Sequence, residues 1–271
     1  MSRTPPPYVD PTKPSIARVY DAFLGGSDNY EVDREVVHRV MRAVPETAGL
    51  AVENRAFLIR ACRFLAGQAD ITQYLDCGSG LPTAENTHQV VQGIDPRSRV
   101  VYVDNDPLVL AHSRALLAGN RNAVIVAEDI FKPEALLRNE TVRSHLDWEK
   151  PIALLHMGTL HHYTGEGTRT RKDIVRAYAD ALPSGSYVAL SHFLDPEDEY
   201  SATARKMEDM FLHSMMGSGT FSTRDELQEL FDGLEMVAPG LVPCSEWRED
   251  APPASQGVAQ RCIAGGVARK P

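Results

Sequence analysis

Residues 74–83 of the chain, YLDCGSGLPT, combine an apolar run, an acidic residue and two glycines. An apolar run that leads into a glycine turn is typical of a strand-to-helix connection that holds a nucleotide. A dinucleotide site would place a third glycine at position 83, where the chain has Thr83, and the P-loop pattern G-x-x-x-x-G-K-[ST] is absent. Asp76 would also repel a pyrophosphate at close range. The turn therefore favours a ligand with a positive charge and no phosphate.

Acidic residues also follow the next two apolar runs. Asp104 ends RVVYVD, where a carboxylate can accept hydrogen bonds from both hydroxyls of a ribose. Asp129 follows AVIVAE, where it can meet an adenine amino group while Ile130 packs on the ring. Each acid alone fits an ordinary helix cap, but three in strand order favour a shared ligand. S-adenosylmethionine combines adenosine with an ammonium group and lacks phosphate. The predicted cofactor contacts at these strand ends are Asp76, Gly78, Ser79, Gly80, Asp104, Asn105, Asp129 and Ile130.

A histidine-rich segment, HMGTLHHYTGEG, follows the fourth apolar run. His161 and His162 are candidate general bases, because an imidazole titrates near neutral pH. His156 is predicted to contact the cofactor by packing over the adenine. The alternative for His161 is that it only begins a helix. The H-x-x-x-x-H-H spacing lacks the i, i+4 histidine pair with an intervening glutamate of a zinc-protease helix, so we predict no metal site.

Strand and helix patterns alternate through the middle of the chain. Short β-branched or apolar runs predict strands, and segments with helical spacing lie between them. The predicted strands are 71–76, 99–104, 123–127, 151–156 and 186–192, and the predicted helices are 84–92, 107–118, 133–144 and 168–182. Strands too apolar to face water on either side favour a parallel sheet covered on both faces. That arrangement is the doubly wound α/β fold.

The two ends of the chain have other patterns. The proline-rich residues 1–13 predict an extended arm, and residues 14–70 predict three helices. The methionine stripe of the helix predicted at 196–216 favours a core or subunit contact over a substrate pocket; its residues are Met207, Met210, Phe211, Met215 and Met216. The later predictions are helices at 196–216 and 223–232, strands at 234–247 and 260–267, and a surface hairpin loop, REDAPPASQG, at 248–257.

Composition and charge exclude several classes of protein. The 271 residues contain 28 Lys and Arg against 37 Asp and Glu, a net charge of −9, so a nucleic-acid substrate is disfavoured. The 4 cysteines form no C-x-x-C pair, which favours reduced, buried thiols. The N-terminus lacks the apolar core of a secretory signal, and no apolar run approaches membrane-spanning length. We therefore expect a soluble cytoplasmic protein whose oligomeric state stays open.

Four segments resemble a known family: PSIARVYDAFLGGSDNYEVDRE (14–35), ENRAFLIRACRFLA (53–66), YLDCGSGLPT (74–83) and VVYVDNDPLVLAHSRALL (100–117). They are similar to the actinobacterial S-adenosylmethionine-dependent methyltransferases long catalogued as a domain of unknown function. The resemblance implies a class I methyltransferase domain over 71–271, with a Rossmann-like seven-stranded sheet whose last strand is antiparallel. It also implies cofactor binding by the glycine turn, Asp104 and Asp129.

In that class, helical segments before the first strand close over the methionine end of the cofactor. Residues 14–70 are the corresponding extension here. Tyr20 and Asn29 are the predicted contacts, and further hydrogen-bonding groups are offered by Arg18, Asp28, Tyr30 and Arg55. For each of these side chains, an ordinary surface or core position is the alternative.

Three functions are compatible with these patterns. The first is methyl transfer from S-adenosylmethionine to a small-molecule acceptor near the fourth and fifth strand ends. The second is a protein that binds S-adenosylmethionine without catalysis, as a sensor or partner. The third is an NAD(P)-dependent oxidoreductase, against which Asp76 and the missing third glycine argue.

Overall fold

Three helices precede the sheet in the computed structural model, which describes residues 6–83, 85–165, 167–248 and 257–271. They are α1 (Ile16–Phe23), α2 (Glu31–Ala43) and α3 (Thr47–Gly67). The side chain of Ser15 caps α1. Gly25 follows the helix with φ of 74°, a conformation that favours glycine, and turns the chain toward α2.

An eight-stranded sheet forms the centre of the fold. Its strands are β1 (Gln73–Cys77), β2 (Arg99–Asp104), β3 (Ala123–Ala127), β4 (Ala153–Met157), β5 (Tyr187–Phe193), β6 (Glu235–Met236), β7 (Val242–Pro243) and β8 (Ile263–Arg269). The strand order is β3-β2-β1-β4-β5-β8-β6, and β7 also pairs with β8. The first five strands are parallel, and β8 is antiparallel to β5. The doubly wound fold with an antiparallel last strand is thus confirmed.

Helices cover both faces of this sheet. They are α4 (Thr87–Ile94), α5 (Pro107–Leu117), α6 (Pro133–Arg138), α7 (Glu140–His145), α8 (Arg171–Ala181), α9 (Ser201–Leu212), α10 (Arg224–Gln228) and α11 (Val258–Arg261). The covering explains why the parallel strands are apolar along nearly their whole length. Within the described ranges, no helix has the length and hydropathy needed to span a bilayer.

The late strands differ from the prediction. A single strand over 234–247 is wrong, because a turn with Gly240 at φ of 92° separates β6 from β7 and Cys244–Glu246 forms a 3-10 helix. The sheet consequently has eight strands instead of seven. The hairpin loop predicted at 248–257 lies outside the described residues, apart from its two ends.

The helix predicted at 133–144 is divided into α6 and α7. Asn139 ends the first and begins the second, since its side-chain oxygen accepts hydrogen bonds from the amides of Thr141 at 2.9 Å and Val142 at 3.3 Å. A short polar side chain that caps a new helix competes with continuation of the old one.

The two faces of the sheet carry separate apolar cores, because neighbouring residues of a strand point to opposite faces. Tyr74 of β1 packs in one core with Phe57 and Trp247. Leu75, the next residue, packs in the other core with Tyr178. The Phe57 and Trp247 rings meet edge to face with centroids 5.4 Å apart, which joins α3 to the segment after β7.

Asp33 of α2 fixes the N-terminal segment. Its buried carboxylate accepts hydrogen bonds from the Ser15 amide at 3.0 Å, Arg18 Nε at 2.8 Å and the Tyr30 amide at 2.8 Å. Ser15 Oγ also donates to the carboxylate of Asp106, just after β2. Charge-assisted bonds in a buried position are stronger than neutral ones. They hold the start of α1 at the carboxyl ends of the strands.

Residues 6–13 are the described part of the segment predicted as an extended arm. They form turns, and Val9 is buried against Leu81, Leu108 and Val109. This apolar contact places the chain before α1 beside α5. The N-terminal segment therefore meets the sheet domain on both sides of Pro14.

Gly265 of β8 lies against the Phe57 ring, and a Cβ added to it would stand 2.6 Å from the nearest ring atom. We expect Gly265→Ala to lower the free energy of unfolding by about 1–3 kcal/mol, because the ring sits in a filled core. Gly93→Ala in α4 is the matched control, since nothing lies within 4 Å of its added Cβ and alanine favours a helix. Urea unfolding measures both, and equal stability of the two variants would contradict this packing.

Candidate functional site

A cavity of about 640 Å³ lies between the carboxyl ends of the strands and the N-terminal helices. Its volume is in the range of small-molecule and cofactor sites. The lining comes from α1, one face of α3, the turn after β1, the ends of β2 to β5, the start of β8, and α9. The carboxyl ends of parallel strands meet at one edge of a sheet, so residues distant in sequence share this cavity.

The glycine turn after β1 approaches its neighbours closely. The amides of Gly78 and Ser79 donate to the Val103 carbonyl at 2.8 and 3.2 Å, which ties the turn to β2. Gly78 has φ of 79°, and a Cβ on it would lie 2.5 Å from Cγ2 of Thr159, after β4. Gly80 has φ of 65°. Position 78 therefore requires glycine, because φ is positive there and because a Cβ would clash with Thr159.

Asp76 and Asp104 lie near the carboxyl ends of adjacent strands and are both buried. Thr87 Oγ1 donates to Asp76 at 2.7 Å, and the amides of Gly80 and Asp106 each donate to Asp104 at 2.9 Å. Burial raises the pKa of Asp76 to about 6 and raises the pKa of Asp104. Both carboxylates lie at the edge of the cavity. They keep lone pairs that can accept hydrogen bonds from a ligand.

The end of β3 contributes a third acid. Asp129 accepts a hydrogen bond from the Phe131 amide at 2.9 Å, which shapes the turn after the strand. The Ile130 carbonyl accepts from the Tyr178 hydroxyl at 2.8 Å. Asp129 and Ile130 both line the cavity.

Most of the side chains and turn residues predicted from the sequence come together in this cavity. Those in its lining are Tyr20, Asp76, Gly78, Ser79, Gly80, Asp104, Asn105, Asp129, Ile130, His161 and His162.

Asn29 and His156 lie outside the cavity lining. Asn29 donates to the Asp21 carboxylate at 2.7 Å and to the Gly26 carbonyl at 3.0 Å, so it closes the loop after α1. His156 is fully buried, with Nδ1 3.0 Å from Thr159 Oγ1, and burial lowers its pKa to about 3. Its ring lies 5.4 Å from the Tyr178 ring, beside the core that also holds Leu75.

The polar groups of the N-terminal helices are largely committed to one another. The Tyr20 hydroxyl donates to the Ala51 carbonyl and accepts from Asn54 Nδ2, both at 3.0 Å. Arg18 pairs with Asp33. Arg55 lines the cavity and donates to the Glu85 carbonyl at 2.8 Å. These bonds fix the helices over the cavity.

His161 and His162 lie side by side after β4, with ring centroids 4.4 Å apart. His161 Nδ1 is 3.4 Å from the Phe193 amide, which donates to it, and its ring stacks on Phe193 at 3.7 Å. This leaves the proton of a neutral His161 on Nε2. His162 Nδ1 is 3.0 Å from Ser218 Oγ. Burial lowers the pKa of His161 well below its ordinary value and that of His162 to about 4.

Part of the cavity was not predicted from the sequence. Asn54 lies on the buried face of α3. A polar residue among the apolar residues of that face could have indicated a place in the cavity. Phe193, Phe211 and Ile263 also line the cavity, but they come from β5, α9 and β8. No local pattern links these three residues. Of the methionine stripe, Met207 is in the core and Met216 lines the cavity.

The residues present fit an adenosine-containing, cationic cofactor. Ser79 Oγ in the glycine turn is buried without a hydrogen-bond partner among the described residues, as expected of a group that meets a ligand. The three acids provide acceptors for hydroxyl, amino and ammonium groups. Across the described chain, no group of three or more His, Cys, Asp or Glu side chains is arranged to hold a metal ion.

Solved structures resemble the whole chain. A candidate methyltransferase from Thermobifida fusca YX superposes with a TM-score of 0.92 and 40% identity over 99% of each chain. A DUF574 family protein from Streptomyces avermitilis MA-4680 gives 0.87 and 34% identity over 96% of this chain and 98% of that one. A SAM-dependent methyltransferase from Anabaena variabilis ATCC 29413 shares the fold, with a TM-score of 0.52 and 15% identity over 96% and 97% of the two chains.

The family comparison agrees with the resemblance seen in the sequence. A search of curated proteins gave no match. Residues 2–271 match the sequence profile of the family described as S-adenosyl methyltransferase. With the two actinobacterial structures above 30% identity, this match shows that the chain belongs to the S-adenosyl methyltransferase family.

Proposed function

We propose that the chain binds S-adenosylmethionine in this cavity and transfers its methyl group to a small-molecule acceptor. The observation that carries the proposal is the arrangement of Asp76, Asp104 and Asp129 at the carboxyl ends of three adjacent strands, all in one cavity. Strands lie about 5 Å apart, so the acids span about 10 Å, the scale of an adenosine with its attached chain.

Each acid has a distinct role in this proposal. Asp129 accepts a hydrogen bond from the adenine amino group while Ile130 packs on the ring. Asp104 uses its remaining lone pairs for the ribose hydroxyls, and Asp76 faces the ammonium group beside the turn of Gly78 and Gly80. We call the part of the cavity lined by these residues the cofactor half.

The histidines follow the next strand in the order, β4. We call the remaining part of the cavity the acceptor half; its wall is formed by His161, His162, Phe193, Phe211, Met216 and Ile263. S-adenosylmethionine supplies an electrophilic methyl group on a sulfonium. The chain aligns an acceptor with it and receives the acceptor's proton. His162 is the better proton acceptor of the two histidines. His161 Nδ1 already accepts a hydrogen bond from a backbone amide, so Nε2 of the neutral ring carries the proton.

The alternative functions are less well supported. An oxidoreductase disagrees with the methyltransferase family, and a buried Asp76 at the turn would face the pyrophosphate of a nicotinamide cofactor. A sensor without catalysis would need no room beside the cofactor, whereas the cavity continues past β4 to β5 and β8. Catalysis requires such room, because an acceptor must lie beside the cofactor.

Isothermal calorimetry with S-adenosylmethionine, S-adenosylhomocysteine and NAD tests the proposal. We expect micromolar binding of the first two and none of NAD. NAD binding alone would support the oxidoreductase. Absence of binding by all three would contradict the proposed cofactor site.

Asp104→Ala tests the ribose contact. Loss of a charged hydrogen-bond acceptor should weaken S-adenosylhomocysteine binding by about 1–3 kcal/mol. Asp95→Ala is the matched control, because Asp95 lies at the far end of α4 and pairs with Arg97. Calorimetry measures both variants, after circular dichroism has established that they fold. Unchanged affinity in Asp104→Ala would remove Asp104 from the site.

The pH dependence of binding tests Asp76. A cofactor ammonium group needs the ionised carboxylate, so affinity is full above the pKa of about 6 and falls below it. We expect the dissociation constant to rise about tenfold from pH 7 to pH 5. His162, with a pKa of about 4, stays neutral over this range.

Asp76→Asn is the control for this effect. The variant should bind weakly at both pH values, with a flatter profile, because the titrating carboxylate is gone. Burial also raises the pKa of Asp104. An equally steep profile in Asp76→Asn would therefore assign the proton to Asp104 or another group.

A further inference from the structure

The sheet order divides the cavity along its length. The cofactor half follows β3, β2 and β1, and the acceptor half follows β4, β5 and β8. Phe193 at the end of β5 pairs in register with Ile263 at the start of β8. Three strand spacings, about 14 Å, therefore separate the Asp76 strand from the Ile263 strand.

The acceptor half has an aromatic and aliphatic wall. His161 stacks on Phe193, and the Phe193 and Phe211 rings are nearly parallel, 7° apart, with centroids separated by 5.6 Å. The Phe23 ring of α1 meets Phe211 edge to face at 6.4 Å. Met216 adds a flexible apolar side chain. Such a wall favours a flat, apolar ligand.

Charge is confined to the other half. The charged side chains in the described cavity lining are Arg55, Asp76, Asp104, Asp106, Glu128 and Asp129. Five are acids at strand ends. Burial is the main cause of the raised pKa of Asp76, and the positive charge of Arg55 opposes it, which places Arg55 at the cofactor half. Arg171 lies outside the lining and already bonds to His192 Nε2 at 2.9 Å and Thr220 Oγ1 at 3.0 Å. A charged acceptor would thus be buried without a counter-ion in the cavity lining, at a high cost in free energy.

The polar groups near the acceptor half are mostly satisfied. Asn54 donates to the Tyr20 hydroxyl and accepts from Ser191 Oγ. Thr47 Oγ1 donates to the Val44 carbonyl at 2.8 Å. His162 Nδ1 meets Ser218, and in the described part of the chain its Nε2 has no hydrogen-bond partner. If Nδ1 donates to the serine, Nε2 is an acceptor.

We propose that the acceptor is an uncharged, mainly apolar molecule that presents a phenol-type hydroxyl group to Nε2 of His162. The assignment rests on the proposed function, because it specifies the substrate of the same site. Methylation forms a carbon–oxygen bond and breaks the carbon–sulfur bond, whose electron pair stays on sulfur. The hydroxyl proton passes to His162 and then to solvent, so charge and atoms balance.

The chemistry of His162 separates a phenol from other acceptors. An aliphatic amine is protonated at neutral pH and would need a carboxylate, which this half lacks. Burial makes His162 a weak base with a pKa of about 4. A phenol, with a pKa near 10, gives up its proton to such a base far more readily than an aliphatic alcohol does.

Binding of model acceptors tests the proposal without relying on turnover. The protein is first saturated with S-adenosylhomocysteine and then titrated with 2-naphthol or with 6-hydroxy-2-naphthoate, which adds one carboxylate. We expect saturable binding of 2-naphthol and at least tenfold weaker binding of the carboxylate. Equal or tighter binding of the carboxylate, or no binding of 2-naphthol, would overturn the assignment.

Met216→Lys places a cation in the acceptor half. It should weaken 2-naphthol binding and strengthen 6-hydroxy-2-naphthoate binding, reversing the preference, while S-adenosylhomocysteine affinity stays the same. Met215→Lys is the matched control, because the neighbouring Met215 is 64% exposed and does not line the cavity. The same preference in both variants would show that the ligand lies elsewhere.

His162→Leu tests the hydrogen bond itself. The variant should bind 2-naphthol about tenfold more weakly and S-adenosylhomocysteine as before. Unchanged 2-naphthol affinity would overturn the role of His162. Failure of the unmodified protein to bind S-adenosylhomocysteine would instead contradict the proposed function, so the two failures are distinguishable.

Discussion

The close approach of the glycine turn after β1 to the loop after β4 is the constraint on which the site depends. Gly78 has no side chain, and a Cβ there would lie 2.5 Å from Thr159 and 3.2 Å from Ile130. These neighbours follow β4 and β3, the strands on either side of the pair formed by β1 and β2. Because Gly78 has no Cβ, the segments after β3 and β4 can both approach the turn after β1. The strand order reverses at β1, and ligands of open α/β sheets bind at such a position.

The N-terminal helices supply the other wall, and they are held by polar bonds at their ends. Asp33 binds Ser15, Arg18 and Tyr30, and Ser15 reaches Asp106 beside the proposed ribose site. On the acceptor side, Tyr20, Asn54 and Ser191 form a connected chain of hydrogen bonds. The same segment thus contacts the edge of the sheet at both halves.

The sequence predicted best those features that depend on residues close together in the chain. The bounds of β2 and β3 agree with the predicted 99–104 and 123–127, because a buried parallel strand is a short apolar run that ends at a polar residue. The acids at the strand ends follow from the same signal. Local patterns also predicted the glycine turn, because its glycines are neighbours in the sequence.

Contacts between distant segments could not be predicted. The wall made by Phe193, Phe211 and Ile263 requires knowledge of which strand is next to β5. His156 and His162 look alike in the sequence, but the first is buried in β4, while the second lies in the 3-10 helix Leu160–His162 and lines the cavity. The strand predicted at 234–247 failed because β6 and β7 are two residues each, too short for an alternating pattern.

A crystal structure of the protein with S-adenosylhomocysteine would show directly how the cofactor lies in the cavity. We expect the adenine beside Ile130, the ribose hydroxyls within hydrogen-bond distance of Asp104, and the sulfur directed past β4 toward His162. A ligand bound in the reverse direction, or outside this cavity, would contradict the division into a cofactor half and an acceptor half.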